Sequence, residues 1–281
     1  MGAWNYPFDL TIGPLCGAIA AGNTAVVKPS ELSAASANLM MEKLPQYIDP
    51  EAFPVFVEGP EGSGRLLKER YDMIFFTGGT HIGKIVMKAA AEHLTPVILE
   101  LGGKNPTWID ESANFSMVAH RLMFGKCINS GQICISPNYV MCKTAVKDKL
   151  VEAVKTVMKE WYDDNPEKSN CKFSRQLSGN HNIDSAYSGK MVSQRHYQRL
   201  QNLLKETNGE IVIGGKTKDE GNYIEPTVVV NVKMDDALMR DELFGPILPI
   251  VEVKDIDEAI KIVRADEKPL ASYCFGGCHL H

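Results

Sequence analysis

Two side chains suited to covalent catalysis stand out, a carboxylate at Glu100 and a thiol at Cys134. Glu100 closes the run Pro96-Val97-Ile98-Leu99-Glu100, and the glycine pair Gly102-Gly103 follows at once. Cys134 lies in GKCINSGQICIS, framed by Asn129, Ser130, Gly131 and Gln132. A thiolate in a glycine-containing turn can attack an electrophilic carbon, and a carboxylate on a strand end can activate the water that clears the adduct. Each residue taken alone also has a bland reading: a strand-terminal Glu in water, and a buried cysteine that packs as a small apolar group. Asn5 is a third candidate. Pro7 drives Tyr6 toward an extended conformation, so Asn5 is expected in a loop, where its amide can donate to an oxyanion or form an ordinary turn.

The elements that must position these residues alternate. Thr24 to Val27 reads as a buried strand ended by Lys28-Pro29, with Ser30 as N-cap of a helix from Glu31 to about Lys43. That helix is expected to bury Leu32, Ala35, Leu39 and Met40. Phe53 to Val57 and Met73 to Phe76 read as further strands, each followed by a helix, and Pro96 to Glu100 as a fourth strand, buried like the others. Four alternations at short spacing predict a doubly wound parallel sheet. Lys28 then lies at the carboxyl end of a strand, where open α/β sheets bind ligands, although a solvated lysine beside a turn fits equally well.

Between the third strand and its helix lies Thr77-Gly78-Gly79-Thr80-His81-Ile82-Gly83-Lys84. Unpaired N–H groups and the helix dipole make such a turn a phosphate site; the bland reading is a tight turn without ligand. It is not G-x-G-x-x-G, and it departs from the P-loop because Ile85 stands where a magnesium-binding hydroxyl belongs. The helix that follows is expected to bury Ile82, Ile85, Val86, Ala89 and Ala90. Downstream, strands are expected at Asn105–Ile109, Tyr139–Cys142, Glu210–Ile213, Thr227–Asn231, Leu248–Val253 and Leu270–Phe275. Helices are expected at Phe115–Ile128, at Gln194–Glu206, at Ile256–Val263, and over Val146–Trp161 with Val146, Leu150, Val154, Val157 and Trp161 inward. Asp163 to Gly189 is polar without clear period and reads as a long loop or insertion. The run Gly13–Gly22 is small-residue-rich and suits close backbone approach or tight helix packing.

Composition narrows the function classes. The chain has 281 residues, 44% hydrophobic and 23% charged, with a formal net charge of −5. This is a soluble-type balance, large enough for one big or two ordinary domains. The acidic balance argues against a nucleic-acid groove or an anionic membrane surface as main partner. No run is long and apolar enough for a spanning helix, and the start lacks a secretory signal's basic region. Seven cysteines (16, 127, 134, 142, 171, 274 and 278) at irregular spacing suggest no disulfide framework and a reducing, cytoplasmic setting. The terminal Cys274, Cys278, His279 and His281 fit no standard zinc spacing, so no metal site is assigned.

Taken together these stretches resemble the aldehyde dehydrogenase superfamily, and within it the class 3, fatty aldehyde dehydrogenase-like branch. The carrying motifs are WNYPF (4–8), KPSE (28–31), FTGGTHIG (76–83), LELGGK (99–104), NSGQICISP (129–137) and ELFGP (242–246), in family order. The resemblance covers most of residues 2 to 275. It implies a Rossmann-like NAD(P)-binding domain over residues 1–101 and an α/β catalytic domain over 102–281, each incomplete. It implies oxidation of an aldehyde to a carboxylic acid, with Cys134 as nucleophile, Asn5 and the Cys134 N–H as oxyanion donors, and Glu100 as the water-activating base. By the same resemblance Lys28 and Glu31 face the adenosine ribose, Gly78, Gly79, Thr80 and Gly83 the pyrophosphate, and Glu242 and Phe244 the nicotinamide ribose. Glu31 near the 2′ position favours NAD, with NADP also accepted in this branch.

Four departures accompany the resemblance. Gly79 stands where the family has Ser. Residues 176 to about 193 read as an insertion. The N-terminal family elements are absent, and the family pattern stops after Phe275, the 276–281 tail being dissimilar. A homodimer is implied for the full-length family member, with its oligomerisation strand outside this chain. Two alternatives to the enzyme are compatible with these residues. One is an inactive truncated product without a closed active site, at most a partner-binding chain. The other is a cysteine hydrolase using Cys134 with His93 or His120, which lacks both the caspase and the papain signature.

Overall fold

The structure, a computed structural model, describes residues 1–162 and 190–277. It divides into two compact units, Met1–Gly102 and Gly103–His281.

The first unit is built on a βαβ element. Strand β1 (Ile74–Gly78) and strand β2 (Val97–Leu101) pair in parallel, from Ile74↔Val97 to Gly78↔Leu101. Helix α4 (Thr80–Ala91) connects them and buries Gly83, Val86 and Ala90. Ile74, Phe76, Val86 and Ala90 form the core, with Val97, Leu99 and Leu101 packed against it. Alternation along β2 turns Ile98 and Glu100 outward, so this strand is half-exposed where the sequence suggests full burial.

Several expectations for this unit are corrected. Helix α1 (Asp9–Ala20) contains most of the small-residue run and passes through Pro14, at the loss of one backbone hydrogen bond. The strands expected at residues 24–27 and 53–57 shorten to one parallel bridge, Val27↔Val55, with one further bond from the Ala25 N–H to the Ala52 carbonyl at 3.0 Å. Beside it, the Gly2 N–H donates to the Lys28 carbonyl at 2.8 Å and the Thr77 N–H to the Met1 carbonyl at 3.1 Å. Met1-Gly2 thus lies between Lys28 and β1 with ladder-like bonds on both sides. After Ser30 comes a 3-10 turn, Glu31–Ser33, and then α2 (Ala34–Lys43), which buries Ala37 and Met40 and leaves Leu39 exposed. Ile82 and Ile85 of α4 are likewise exposed. Helix α3 (Pro60–Leu66) completes the unit.

The second unit contains a six-stranded sheet in the order β10-β3-β4-β9-β8-β5. Its strands are β3 (Pro106–Ile109), β4 (Tyr139–Cys142), β5 (Glu210–Ile213), β8 (Thr227–Val232), β9 (Ile247–Glu252) and β10 (Tyr273–Phe275). Five run parallel and the edge strand β5 is antiparallel to β8. A separate hairpin pairs β6 (Thr217–Lys218) with β7 (Tyr223–Ile224). Every residue of β3 and β4 is buried, as strands covered on both faces must be. Alternation sends Ile109, Val140, Cys142, Leu248 and Ile250 to one face, where helices α5 (Phe115–Cys127) and α6 (Thr144–Tyr162) cover them. Trp108, Tyr139, Met141 and Val251 go to the other face, against α7 (Gln194–Glu206) and α8 (Ile256–Ala265). The inward stripe expected for α6 is the observed one: Val146, Leu150, Val154, Val157 and Trp161 are all buried.

The insertion proposed over 176–193 falls largely outside the described residues. Its last four residues are described and are tied down: Lys190 bridges Tyr223, and the Met191 N–H donates to the Asn222 carbonyl at 3.0 Å. The candidate ligands Cys278, His279 and His281 lie outside the described residues.

Candidate active site

Helix α5 ends at Cys127, and the chain then turns through Asn129, Ser130 and Gly131, all left-handed with φ of 48°, 56° and 70°. Non-glycine residues hold this conformation at a cost of ~1–2 kcal/mol each, so the surroundings must enforce it. Gly131 is required sterically, since a Cβ there would lie 2.4 Å from the Gly245 carbonyl oxygen. The buried Gln132 amide donates to the carbonyls of Asn129 (2.9 Å) and Lys190 (3.2 Å) and accepts from the Val192 N–H (3.0 Å). Asn105, fully buried, donates to the carbonyls of Cys134 (2.8 Å) and Ser136 (3.0 Å), while its amide oxygen accepts from the Ala271 N–H at 2.8 Å. Cys134 itself is a half-buried thiol, both held and reachable. Nearby, Tyr273 of β10 donates to the Ile135 carbonyl; burial first, and the neighbouring Cys134 second, raise its proton affinity.

The ELFGP turn stacks on this one through Gly131 and Gly245. Arg199 of α7 donates to the carbonyls of Glu242 (3.2 Å) and Leu243 (2.5 Å), and the Asn138 amide oxygen accepts from the Leu243 N–H at 2.8 Å. Phe244 is left-handed, φ 47°. Burial pushes the Glu242 carboxyl up to about 7, against the opposing pull of the Gly103 N–H, Lys126 and Arg199. Lys126 is 1% exposed, donates to the Pro137 carbonyl at 2.9 Å, and is drawn down to about 7 by burial, against the pull of Glu242 and Cys127. Desolvation outweighs the attraction between these opposite charges.

In the first unit, Asn5 is half-buried in a bend before α1, as a loop amide should be. Glu100 is exposed on the outward face of β2, opposite Thr77. The buried Lys28 ammonium donates to Glu31 at 3.1 Å and to the Pro29 carbonyl at 3.2 Å, so the two proposed ribose contacts form one local pair. Gly78 ends β1, Gly79 is the N-cap of α4, and Thr80 opens the helix. Gly79 brings no side-chain cap, and a Cβ there would meet nothing within 4 Å, so the replacement of Ser is not forced by crowding. At Gly83 a Cβ would lie 2.7 Å from the tip of the Leu101 side chain, which would have to shift to admit it.

Within the first unit, the open N-terminus of α4 suits phosphate oxygens, and the Glu31 carboxylate suits ribose hydroxyls. Within the second unit, the Glu242 carboxylate has the same chemistry. Among the described residues no cluster of three or more His, Cys, Asp or Glu could hold a metal.

Sequence reasoning missed Asn105, Lys126, Asn138 and Arg199. Asn105 follows LGGK directly, and Lys126 stands three and four positions after the buried Met123 and Leu122, a polar residue on an apolar stripe; these were the available signals. Asn138 and Arg199 carry none.

A profile of the Aldehyde dehydrogenase family matches residues 1–278. Aldehyde dehydrogenase family 3 member B1 of Bos taurus is 45% identical over 272 residues, 97% of this chain and 54% of that protein. Family 3 member A2 of Pongo abelii is 45% identical over 279 residues, 99% of this chain and 54% of its own length. The chain therefore spans about half the length of these curated relatives. Among solved structures, the substrate-bound state of Staphylococcus aureus AldH superposes with a TM-score of 0.88 at 39% identity, covering 98% of this chain and 57% of that one. Betaine aldehyde dehydrogenase from Staphylococcus aureus in complex with NAD+ gives 0.82 at 26% identity, covering 97% and 53%. With this match over nearly its whole length, the chain belongs to the aldehyde dehydrogenase family.

Proposed function

We propose that the chain carries the residues for NAD(P)-dependent oxidation of an aldehyde to a carboxylic acid, residues 1–101 holding the cofactor and 102–281 the nucleophile. The observation that supports this most is the strained, multiply tied turn presenting the Cys134 thiol. The Cys134 thiolate adds to the aldehyde carbon, and the Asn5 amide and Cys134 N–H donate to the oxyanion, each such donor contributing ~2.7–4 kcal/mol. A bound nicotinamide, its ribose held by Glu242 and Phe244, would supply the hydride acceptor that conversion of the Cys134 adduct to a thioester requires. Glu100 takes a proton from the attacking water, whose oxygen bonds to the acyl carbon as the carbon–sulfur bond breaks and the thiolate leaves. Lys28 and Glu31 hold the adenosine ribose, Gly78, Gly79, Thr80 and Gly83 the phosphates, and Glu242 and Phe244 the nicotinamide ribose. A carboxylate at Glu31 repels a 2′-phosphate, which makes NAD the first cofactor. The Staphylococcus aureus relative bound to NAD+ supports the cofactor class. A cytoplasmic setting is part of the proposal; among the described residues no helix is long and apolar enough to cross a membrane.

One observation favours a second reading, a chain that keeps these residues without turning over: apolar side chains of the first unit such as Leu94, 88% exposed, and Met87, 57% exposed, lie open. Purified protein, NAD and a medium-chain aldehyde separate the two. NADH formation that Cys134→Ser reduces by on the order of 10⁴-fold supports the enzyme. Cofactor binding without NADH supports the second reading, and full activity in Cys134→Ser overturns the first.

A further inference from the structure

We infer that Arg199 is the positioning residue of the Glu242–Phe244 loop, gripping two successive backbone carbonyls so that the residues flanking Leu243 keep one orientation. The inference deepens the proposed function, resting on the assignment of Glu242 and Phe244 to the cofactor.

The grip has the geometry that suits a guanidinium. Two of its nitrogens donate to neighbouring carbonyls, Glu242 at 3.2 Å and Leu243 at 2.5 Å. A planar fork does this with little loss of rotamer freedom per bond; a lysine ammonium is a single point donor. Leu243 is held from the other side too, its N–H by Asn138 at 2.8 Å, and its side chain is fully buried. The central residue of the loop is thereby fixed at its donor, its acceptor and its side chain.

The loop needs this restraint. Phe244 sits at φ 47°, a conformation that persists only where neighbours over-determine it. The next residue of α7 supplies the wall: a Cβ on Gly245 would come 2.2 Å from Leu200. One helix therefore delivers both the grip and the stop. Its approach segment also meets the nucleophile turn, where Gln132 bonds Lys190 and Val192. Arg199 is the half of this arrangement that acts on the loop carrying Glu242, and its positive charge opposes the rise in that carboxyl's proton affinity.

The test uses the full chain with Arg199→Met and Arg199→Lys, and begins without cofactor. In Arg199→Met, amide hydrogen exchange at Leu243 and Phe244 should quicken by about tenfold, equivalent to ~1.4 kcal/mol of local stability, with β4 and β9 amides unchanged. Arg199→Lys should recover part of that protection. NAD titration should give a Kd raised by about tenfold in Arg199→Met, while Cys134 alkylation by iodoacetamide changes by less than about twofold. Unchanged exchange at Leu243 overturns the inference, as does uniform loosening of β4 and β9 or a parallel loss of Cys134 reactivity. Should Arg199→Met fail to fold, Arg199→Lys decides alone: wild-type exchange at Leu243 and wild-type NAD affinity together overturn the inference. Wild-type protein that binds no NAD sinks the cofactor assignment, and the exchange data then still decide whether Arg199 holds the loop.

Discussion

The two units differ in how they hold their candidate residues. The second covers its sheet on both faces, with β3 and β4 wholly buried. The first has a two-stranded sheet whose outward face carries Ile98 and Glu100 in the open. Ile74, Phe76, Val86 and Ala90 form the cluster that packs on it, with Leu15, Val27, Ala37 and Met40 also buried in the unit. The restraints differ in the same sense. Lys28 and Glu31 pair three positions apart, and the glycine turn is closed by its own strand and helix. In the second unit, Asn105 reaches Cys134, Gln132 reaches Lys190, and Arg199 and Asn138 reach Leu243 across tens of residues of sequence. Local motifs make contact residues cheaply; a nucleophile that must stay aligned is tied from several distant points, each restraint costing little once a large core is in place.

The comparison can be broken or sharpened by substitution, starting with the largest effect. Glu100→Gln should slow thioester hydrolysis by roughly 10²–10⁴-fold while leaving the first burst of NADH intact. A burst followed by wild-type steady turnover removes Glu100 from the role of base. For stability, Ile250→Ala, at a fully buried site of the second unit, should cost ~2–5 kcal/mol in urea unfolding. Ile98→Ala, at a site 42% exposed in the first unit, should stay within about 0.5 kcal/mol. Equal losses at the two sites would erase the contrast between the units. Gly131→Ala places a methyl against the Gly245 carbonyl at φ 70° and should cost ~1–3 kcal/mol, with slower Cys134 alkylation as its specific sign.

A further effect is in the pH dependence. Lys126 is lowered in the fold to about 7 from an ordinary 10.5, so the stability it allows is full above about 10.5 and is lost as pH falls toward 7. Glu242 is raised to about 7 from 4.5, so its contribution is full below about 4.5 and is lost as pH rises through 7. As a coupled pair they place the minimum near pH 7. Lys126→Met should flatten the rise in stability between pH 7 and pH 10, a slope of at most ~1.4 kcal/mol per pH unit. An unchanged slope in urea midpoints over that range would mean that Lys126 is charged in the fold.

Much of this was legible from sequence. The strands at Tyr139–Cys142 and Thr227 onward are legible as short apolar runs, the mark of strands covered on both faces, and the α6 stripe is legible from apolar residues recurring every third and fourth position. Periodicity misled in the first unit. Ile82, Ile85 and Leu39 have the spacing of core residues and are exposed, because a stripe shows which face is apolar and says nothing about what covers it. Thr24–Val27 and Phe53–Val57 have strand composition, yet their pairing is reduced to the bridge Val27↔Val55 and one bond from the Ala25 N–H to the Ala52 carbonyl, because Pro54 has no N–H to donate. Helix α1 went unread because glycines and Pro14 score against a helix.

By itself the sequence determined the chemistry on offer: a thiol in a glycine-bearing turn, a carboxylate at a strand end, a glycine turn before a helix and six motifs in family order. Those are properties of neighbours along the chain, and short-range geometry is enough to define them. Only the tertiary structure decided that Asn105, Gln132, Asn138 and Arg199 hold the Cys134 and Glu242 turns, and that Lys126 is buried beneath them. A hydrogen bond between residues far apart in sequence leaves no periodic or spacing signal, because the two partners are brought together by packing alone.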